Sequence, residues 1–159
     1  MSRPAAFVAL FAAAPLAFAA APSLAAEMAL VPGFSDVKYE PGPPDLPKGV
    51  LLAVIHGDPS KPGPFALRLK FPARTVVAPH THSADETLTI FSGVLTHQMG
   101  AKLDLAGGDR VGPGGFVFLP GNMPHSVWTT DEPVEFQVTG TGPFGLNYVN
   151  PADDPRRTR

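Results

Sequence analysis

His80-Thr81-His82-Ser83-Ala84-Asp85-Glu86-Thr87-Leu88-Thr89-Ile90-Phe91-Ser92-Gly93 is the most informative segment of this chain. Side chains alternate across an extended strand, so His80 and His82, two apart, share a face if the strand runs through both. Glu86 joins them if the chain turns at Ser83–Asp85 and resumes as a strand over Thr87–Phe91. Imidazole nitrogen and carboxylate oxygen together suit a divalent first-row metal. A histidine pair alone carries little weight, and its surroundings decide.

A second stretch, Gly114-Gly115-Phe116-Val117-Phe118-Leu119-Pro120-Gly121-Asn122-Met123-Pro124-His125, reads as a strand, a Pro-Gly turn and a histidine entering a further strand, Ser126–Thr129. With both stretches in view the chain resembles the cupins. Their first motif is G-x5-H-x-H-x3-4-E-x6-G, and their second is G-x5-P-x-G-x2-H-x3-N. His80, His82, Glu86 and Gly93 match the first in identity and spacing, and Gly114, Pro120 and His125 match the second. Three positions depart: Arg74 stands at the opening glycine, Asn122 at the turn glycine and Thr129 at the final asparagine. None of the three is a metal ligand in the family pattern, and asparagine tolerates the left-handed backbone that a turn glycine supplies.

The resemblance implies an all-β fold, a double-sheet jelly-roll barrel, over nearly all of residues 45–150. It also implies that His80, His82, Glu86 and His125 converge inside the barrel on a divalent transition metal: Fe, Mn, Zn, Ni or Cu. Four protein ligands on an octahedral ion leave two positions open for water, dioxygen or substrate. Counting by twos from Gly93 puts Leu95, His97 and Met99 on one face. In the resembling fold that face is the interior, so His97 is the candidate catalytic group, a proton shuttle near the metal; a histidine satisfied in the core or exposed is the alternative. Counting from His125 places Val127 and Thr129 inside and Ser126 and Trp128 outside, which makes Trp128 a packing or interface aromatic. Phe116 and Phe118 are expected in the core. Leu88, Ile90, Leu95, Phe118 and Val127 are expected to give the pocket an apolar wall.

The remaining sequence frames this domain. Residues 1–26 carry Arg3, then an apolar Ala-rich run with no charge until Glu27, and small residues at Ser23, Ala25 and Ala26. That is the pattern of a cleavable signal peptide, so a periplasmic or secreted location is expected. Cleavage removes one Arg and no acid, moving the net charge from −2 to −3. Such a balance offers no basic footprint for nucleic acid. With no cysteine, no disulfide can brace the fold, and stability must come from packing and from the metal.

Residues 27–49 are rich in Pro and Gly and read as an extended arm with at most a short strand; arms of this kind in cupins often cross a partner subunit. The barrel domain is assigned to residues 50–150 and a polar, frayed tail to 151–159. Val50–Ile55 and Phe65–Phe71 read as strands, the second with Phe65, Leu67, Leu69 and Phe71 on one face. Ser92-Gly93 reads as a tight hairpin turn returning through Val94–Met99, and Glu135–Thr139 as a later strand. Short strands with a turn signal roughly every 8–12 residues support the sandwich or barrel class independently of the motifs.

The functional expectation is an exported metal-binding cupin, a small-molecule metalloenzyme of oxygenase or related type. The alternative is a non-catalytic periplasmic module that binds a small ligand or a metal. A regulatory cytoplasmic sensor is a third class, which the export signal disfavours. The expected partners are a small-molecule substrate or ligand and a second copy in a homodimer, with no nucleic acid and, once the signal is cleaved, no membrane. Arg68, alone on the polar face of its strand, is either a grip for an anionic substrate or a solvated surface arginine. His56, in a turn, and Asp85, pointing opposite to Glu86, are expected to be solvated.

Overall fold

Phe65, Leu67, Leu69 and Phe71 are all buried while the residues between them are not, as period-two alternation requires of a half-buried strand. The computed structural model describes residues 28–158; the expected signal peptide at 1–26 lies outside them. The strands are β1 (Glu40–Pro41), β2 (Leu51–His56), β3 (Gly63–Phe71), β4 (Val76–Thr81), β5 (Glu86–Ser92) and β6 (Leu95–Met99), followed by β7 (Asp109–Val111), β8 (Phe116–Leu119), β9 (His125–Thr129), β10 (Val134–Gly142) and β11 (Asn147–Tyr148). The helical pieces among the described residues are short 3-10 turns at Phe34–Asp36, Pro151–Asp153 and Pro155–Thr158. No helix there is long and apolar enough to cross a membrane.

The strands form two antiparallel sheets, ordered β1-β2-β3-β10-β5-β8 and β11-β4-β9-β6-β7. The chain changes sheet between β3 and β4, β4 and β5, β5 and β6, β7 and β8, β8 and β9, β9 and β10, and β10 and β11. This is the jelly-roll wrapping expected from the sequence. The facing sides supply one apolar core, in which Phe71 and Phe136 meet edge to face with ring centroids 4.9 Å apart.

Ser92-Gly93 is not a hairpin. β5 pairs with β10 and β8, whereas β6 pairs with β9 and β7, so the turn is a corner carrying the chain from one sheet to the other. Gly93 is required there: its φ is 71°, and a Cβ would collide with the Pro133 carbonyl. Two other motif positions show the same backbone demand without glycine. Arg74 has φ 60° and Asn122 φ 62°, so both departures from the family glycines retain the left-handed turn.

Phe116 and Phe118 are not in the core; they are 62% and 55% exposed. Both parities of Phe116-Val117-Phe118-Leu119 are apolar, so alternation alone cannot choose the inward face. Pairing of Glu86 with Leu119 and Leu88 with Val117 turns Leu119 and Val117 inward and leaves both rings on the outside of an edge strand. The tail is also more ordered than expected. Asn150 caps the first of its two 3-10 turns by accepting the Ala152 N–H, and Arg156 pairs with Asp154 at 2.7 Å. The arm closes on its own barrel: β1 extends the sheet through β2, and Leu46 and Val50 join the core.

Candidate metal centre

β4 carries a bulge that aims His80. Val77 pairs with Val127 and His80 with His125, so three steps on β4 oppose two on β9. The extra residue lets Val77 and His80, three apart, both turn inward, with Pro79 and His80 buried side by side. β4 ends at Thr81, and His82 follows in the corner that leads to Glu86 at the start of β5. His125 opens β9. Corners and strand ends at one end of the barrel therefore deliver all four side chains.

The ligand atoms of His80, His82 and His125 lie within 4.8 Å of one another, a set that could hold a metal ion. Each ring is locked by its other nitrogen. His80 Nδ1 donates to the Ala78 carbonyl at 2.8 Å, His82 Nδ1 to Gly145 at 2.8 Å and His125 Nδ1 to Met123 at 3.1 Å. A neutral imidazole that donates from Nδ1 keeps its Nε2 lone pair free. Burial holds all three rings neutral: His82 is lowered to about 4, and His80 falls well below 6.5 through burial and the neighbouring His125 and His82.

Glu86 completes the cluster. Its Oε2 lies 3.3 Å from His82 Nε2 and 3.6 Å from His125 Nε2, is buried, and has no hydrogen-bond partner. Burial raises its pKa to about 8. With Glu86 ionised, three imidazole lone pairs and a carboxylate oxygen converge as acceptors with no donor between them. A divalent cation satisfies all four at once, so the donor set fits a metal by its chemistry.

The corner is clamped against the turn of the second motif. Asn122 donates its N–H to the His82 carbonyl at 2.7 Å, and the exposed Asp85 carboxylate accepts the Gly121 N–H at 2.8 Å. Any Cβ on Gly121 would sit 3.0 Å from the Ala84 backbone, which explains the glycine beside Asn122. Asp85 is therefore exposed as expected, yet it has a structural task.

The cluster opens into a cavity of about 170 Å³. Leu88 and Val127 line it as expected; Ile90 and Leu95 lie in the core away from it, and Phe118 is outside the barrel. The rest of the wall was not legible beforehand: Leu67, Leu69, Phe136 and Val138 from β3 and β10, Asp45 and Leu46 from the arm, and Phe144, Gly145 and Leu146 before β11. Among the described residues, no lysine or arginine lines it. Tyr148 joins the two ends of the chain by donating its hydroxyl to the Asp45 carbonyl at 2.8 Å. Carbonyl acceptors such as Ala78 and Gly145 leave no mark in a sequence. The two aromatics in the turn-rich stretch 142–149 are the one available hint.

His97 faces inward and is buried, its ring 6.0 Å from that of His125, but it is not among the residues lining the cavity. Its Nε2 is buried without a partner. Burial lowers its pKa, with Asp109 on β7 opposing the shift. Arg68 reaches no substrate site: its guanidinium lies 5.2 Å from the Phe34 ring and 5.0 Å from the Phe91 ring on the outer side of its sheet. Trp128 faces outward yet is only 4% exposed, packed under Gly108. His56 is exposed.

No family model matches the chain, and no curated protein matches it. Solved structures do. A polyketide cyclase from Streptomyces resistomycificus superposes with a TM-score of 0.65 at 20% identity, over 82% of this chain and 92% of its own. An acetylacetone dioxygenase from Acinetobacter johnsonii gives 0.63 at 18% identity, over 85% and 86%. A cupin superfamily protein from Desulfitobacterium hafniense gives 0.51 at 11% identity, over 70% and 88%. With the two-sheet topology and the histidine cluster at one end of the barrel, these likenesses establish that the chain has the cupin fold.

Proposed function

We propose that this chain is an exported metalloenzyme of oxygenase or related type, in which His80, His82, His125 and Glu86 hold a divalent transition metal. One observation carries the reading: three histidines locked at Nδ1 by backbone carbonyls converge, through their free Nε2 atoms, beside the unpartnered buried oxygen of Glu86. The fold shared with an acetylacetone dioxygenase and a polyketide cyclase supports the class. When bound, the metal supplies a Lewis-acidic site and, if redox-active, one-electron chemistry.

The chain's own residues bind, orient and shield. The cavity, about 170 Å³, slightly exceeds the ~150 Å³ that suffices for benzene in an apolar protein interior. Leu67, Leu69, Leu88, Phe136 and Val138 exclude water from it. With acids at Glu86 and Asp45 and no cationic side chain among the described residues that line it, the site favours a small neutral or singly charged molecule with an apolar body and disfavours dianions.

A non-catalytic binding module is the second reading. It is favoured because, among the described residues, the acid–base side chains lining the cavity are Asp45 and the four candidate ligands.

Elemental analysis of the protein from its native compartment, beside a His82→Ala variant, tests the proposal. A stoichiometric redox metal lost in the variant supports the enzyme, and dioxygen uptake then identifies substrates. Absence of metal, with stability unchanged in the variant, would overturn the metal reading and promote the binding module.

A further inference from the structure

Phe144 is held as a wall of the cavity. Its ring stacks on His82, with centroids 4.1 Å apart and planes 12° apart, and also contacts the buried Phe65 ring at 4.9 Å. Its backbone is pinned where it stands: Phe144 donates its N–H to the Pro59 carbonyl at 2.7 Å, and the next carbonyl, of Gly145, receives His82 Nδ1. Phe144 and Gly145 thus contact one candidate metal ligand and the ligand-accessible space together.

We propose that Phe144 determines ligand size and positions His82. Its ring occupies the volume between the cavity and the 143–146 segment, and its stacking fixes the angle at which His82 presents Nε2. The existing cavity suits one small ring, and removing a phenyl group adds space for about one more. Loss of the stack also frees the His82 ring to turn about its Nδ1 hydrogen bond. The inference rests on the cavity and metal centre proposed above and names what sets their selectivity.

The test uses the mature chain, chelated and cobalt-loaded, with toluene and naphthalene as probes of one and two rings. Wild type should prefer toluene. Phe144→Ala should shift the naphthalene-to-toluene affinity ratio by roughly tenfold or more, and Phe144→Leu, which retains apolar packing, should shift it less in the same direction. The visible spectrum of bound cobalt should change in both variants, and cobalt affinity should fall about tenfold in Phe144→Ala.

An unchanged probe ratio in a cooperatively folding Phe144→Leu variant would overturn the size role, and an unchanged cobalt spectrum would overturn the positioning role. Equal weakening of both probes would reduce Phe144 to a packing residue and overturn the inference. If wild type binds no cobalt, the metal reading and the positioning role fail together, while the probe ratio in the chelated chain still decides the size role.

Discussion

Glu86 Oε2 and His82 Nε2 lie 3.3 Å apart, and with His82 protonated at Nδ1 both are acceptors. Without a cation the pair is tolerable only if Glu86 carries a proton, in keeping with its raised pKa of about 8. Glu86→Gln provides an uncharged donor of the same shape. The chelated variant should gain on the order of 2 kcal/mol at pH 8 by removing a buried carboxylate. Its metal affinity should fall at least tenfold. Urea unfolding and calorimetric metal titration check the two halves, and a chelated variant less stable than wild type at pH 8 would contradict this account.

Stability of the chelated protein should peak near pH 7. Glu86 has a folded pKa raised from 4.5 to about 8, so the folded state holds a proton that the unfolded chain has lost, and stability falls as pH rises across that window. The histidines act oppositely. His82 is lowered from 6.5 to about 4, and His80, His97 and His125 are also lowered, so stability falls as pH drops below 6.5. Between 4.5 and 6.5 the four rings outweigh the one carboxyl. Metal should flatten the alkaline limb, because a bound cation offsets the cost of ionising Glu86. Denaturant midpoints at pH 5, 7 and 9, with and without metal, measure this; a chelated protein more stable at pH 9 than at 7 would refute it.

Arg74→Gly should stabilise the protein by about 0.5–1 kcal/mol. Arginine at φ 60° bears a left-handed strain of roughly 1–2 kcal/mol, partly offset by the entropy that glycine adds to the unfolded chain. The lost Arg74–Asp131 ion pair is exposed at both ends and contributes little. Gly93→Ala, with left-handed φ and a collision at Pro133, should cost about 2 kcal/mol or more. Thermal unfolding of the two variants should therefore move in opposite directions.

His97→Leu separates the interior histidine from the cluster. Removing a buried Nε2 that has no partner should raise stability by about 1 kcal/mol. Metal affinity should stay within about twofold, because His97 supplies no atom to the three-histidine set. A tenfold loss of affinity would show that His97 acts on the centre through His125.

Tyr148→Phe cuts the tie between the two ends of the chain. Loss of the hydroxyl bond to the Asp45 carbonyl should cost about 1 kcal/mol. The local effect should exceed the global one: the Leu46 amide, which donates to the Pro43 carbonyl at 3.0 Å, should exchange faster. Unchanged exchange at Leu46 would show that the arm is held by packing alone.

Much of the barrel was legible because its strands obey simple alternation. Phe65 to Phe71 alternate strictly, and one inward face is the single way to bury four large side chains. Phe116-Val117-Phe118-Leu119 has no polar member, and only its pairing with β5 decides which pair faces out. Ser92-Gly93 reads as a hairpin because a local turn looks alike whether the next strand returns beside the first or joins the opposite sheet.

Residue types and spacings could be read from the chain directly: two histidines and a glutamate close together, a histidine after a Pro-Gly turn, and motif turn positions held by Gly93, Asn122 and Arg74. Those are local properties of short segments. Only the folded barrel decided that a bulge at Ala78–Pro79 turns His80 inward, that the remote Gly145 carbonyl fixes the His82 tautomer, and that Phe144 stacks on His82 to wall an apolar cavity. Bulges, backbone acceptors and ring stacking depend on strand register and on which segments meet across the barrel, and no single segment carries that information.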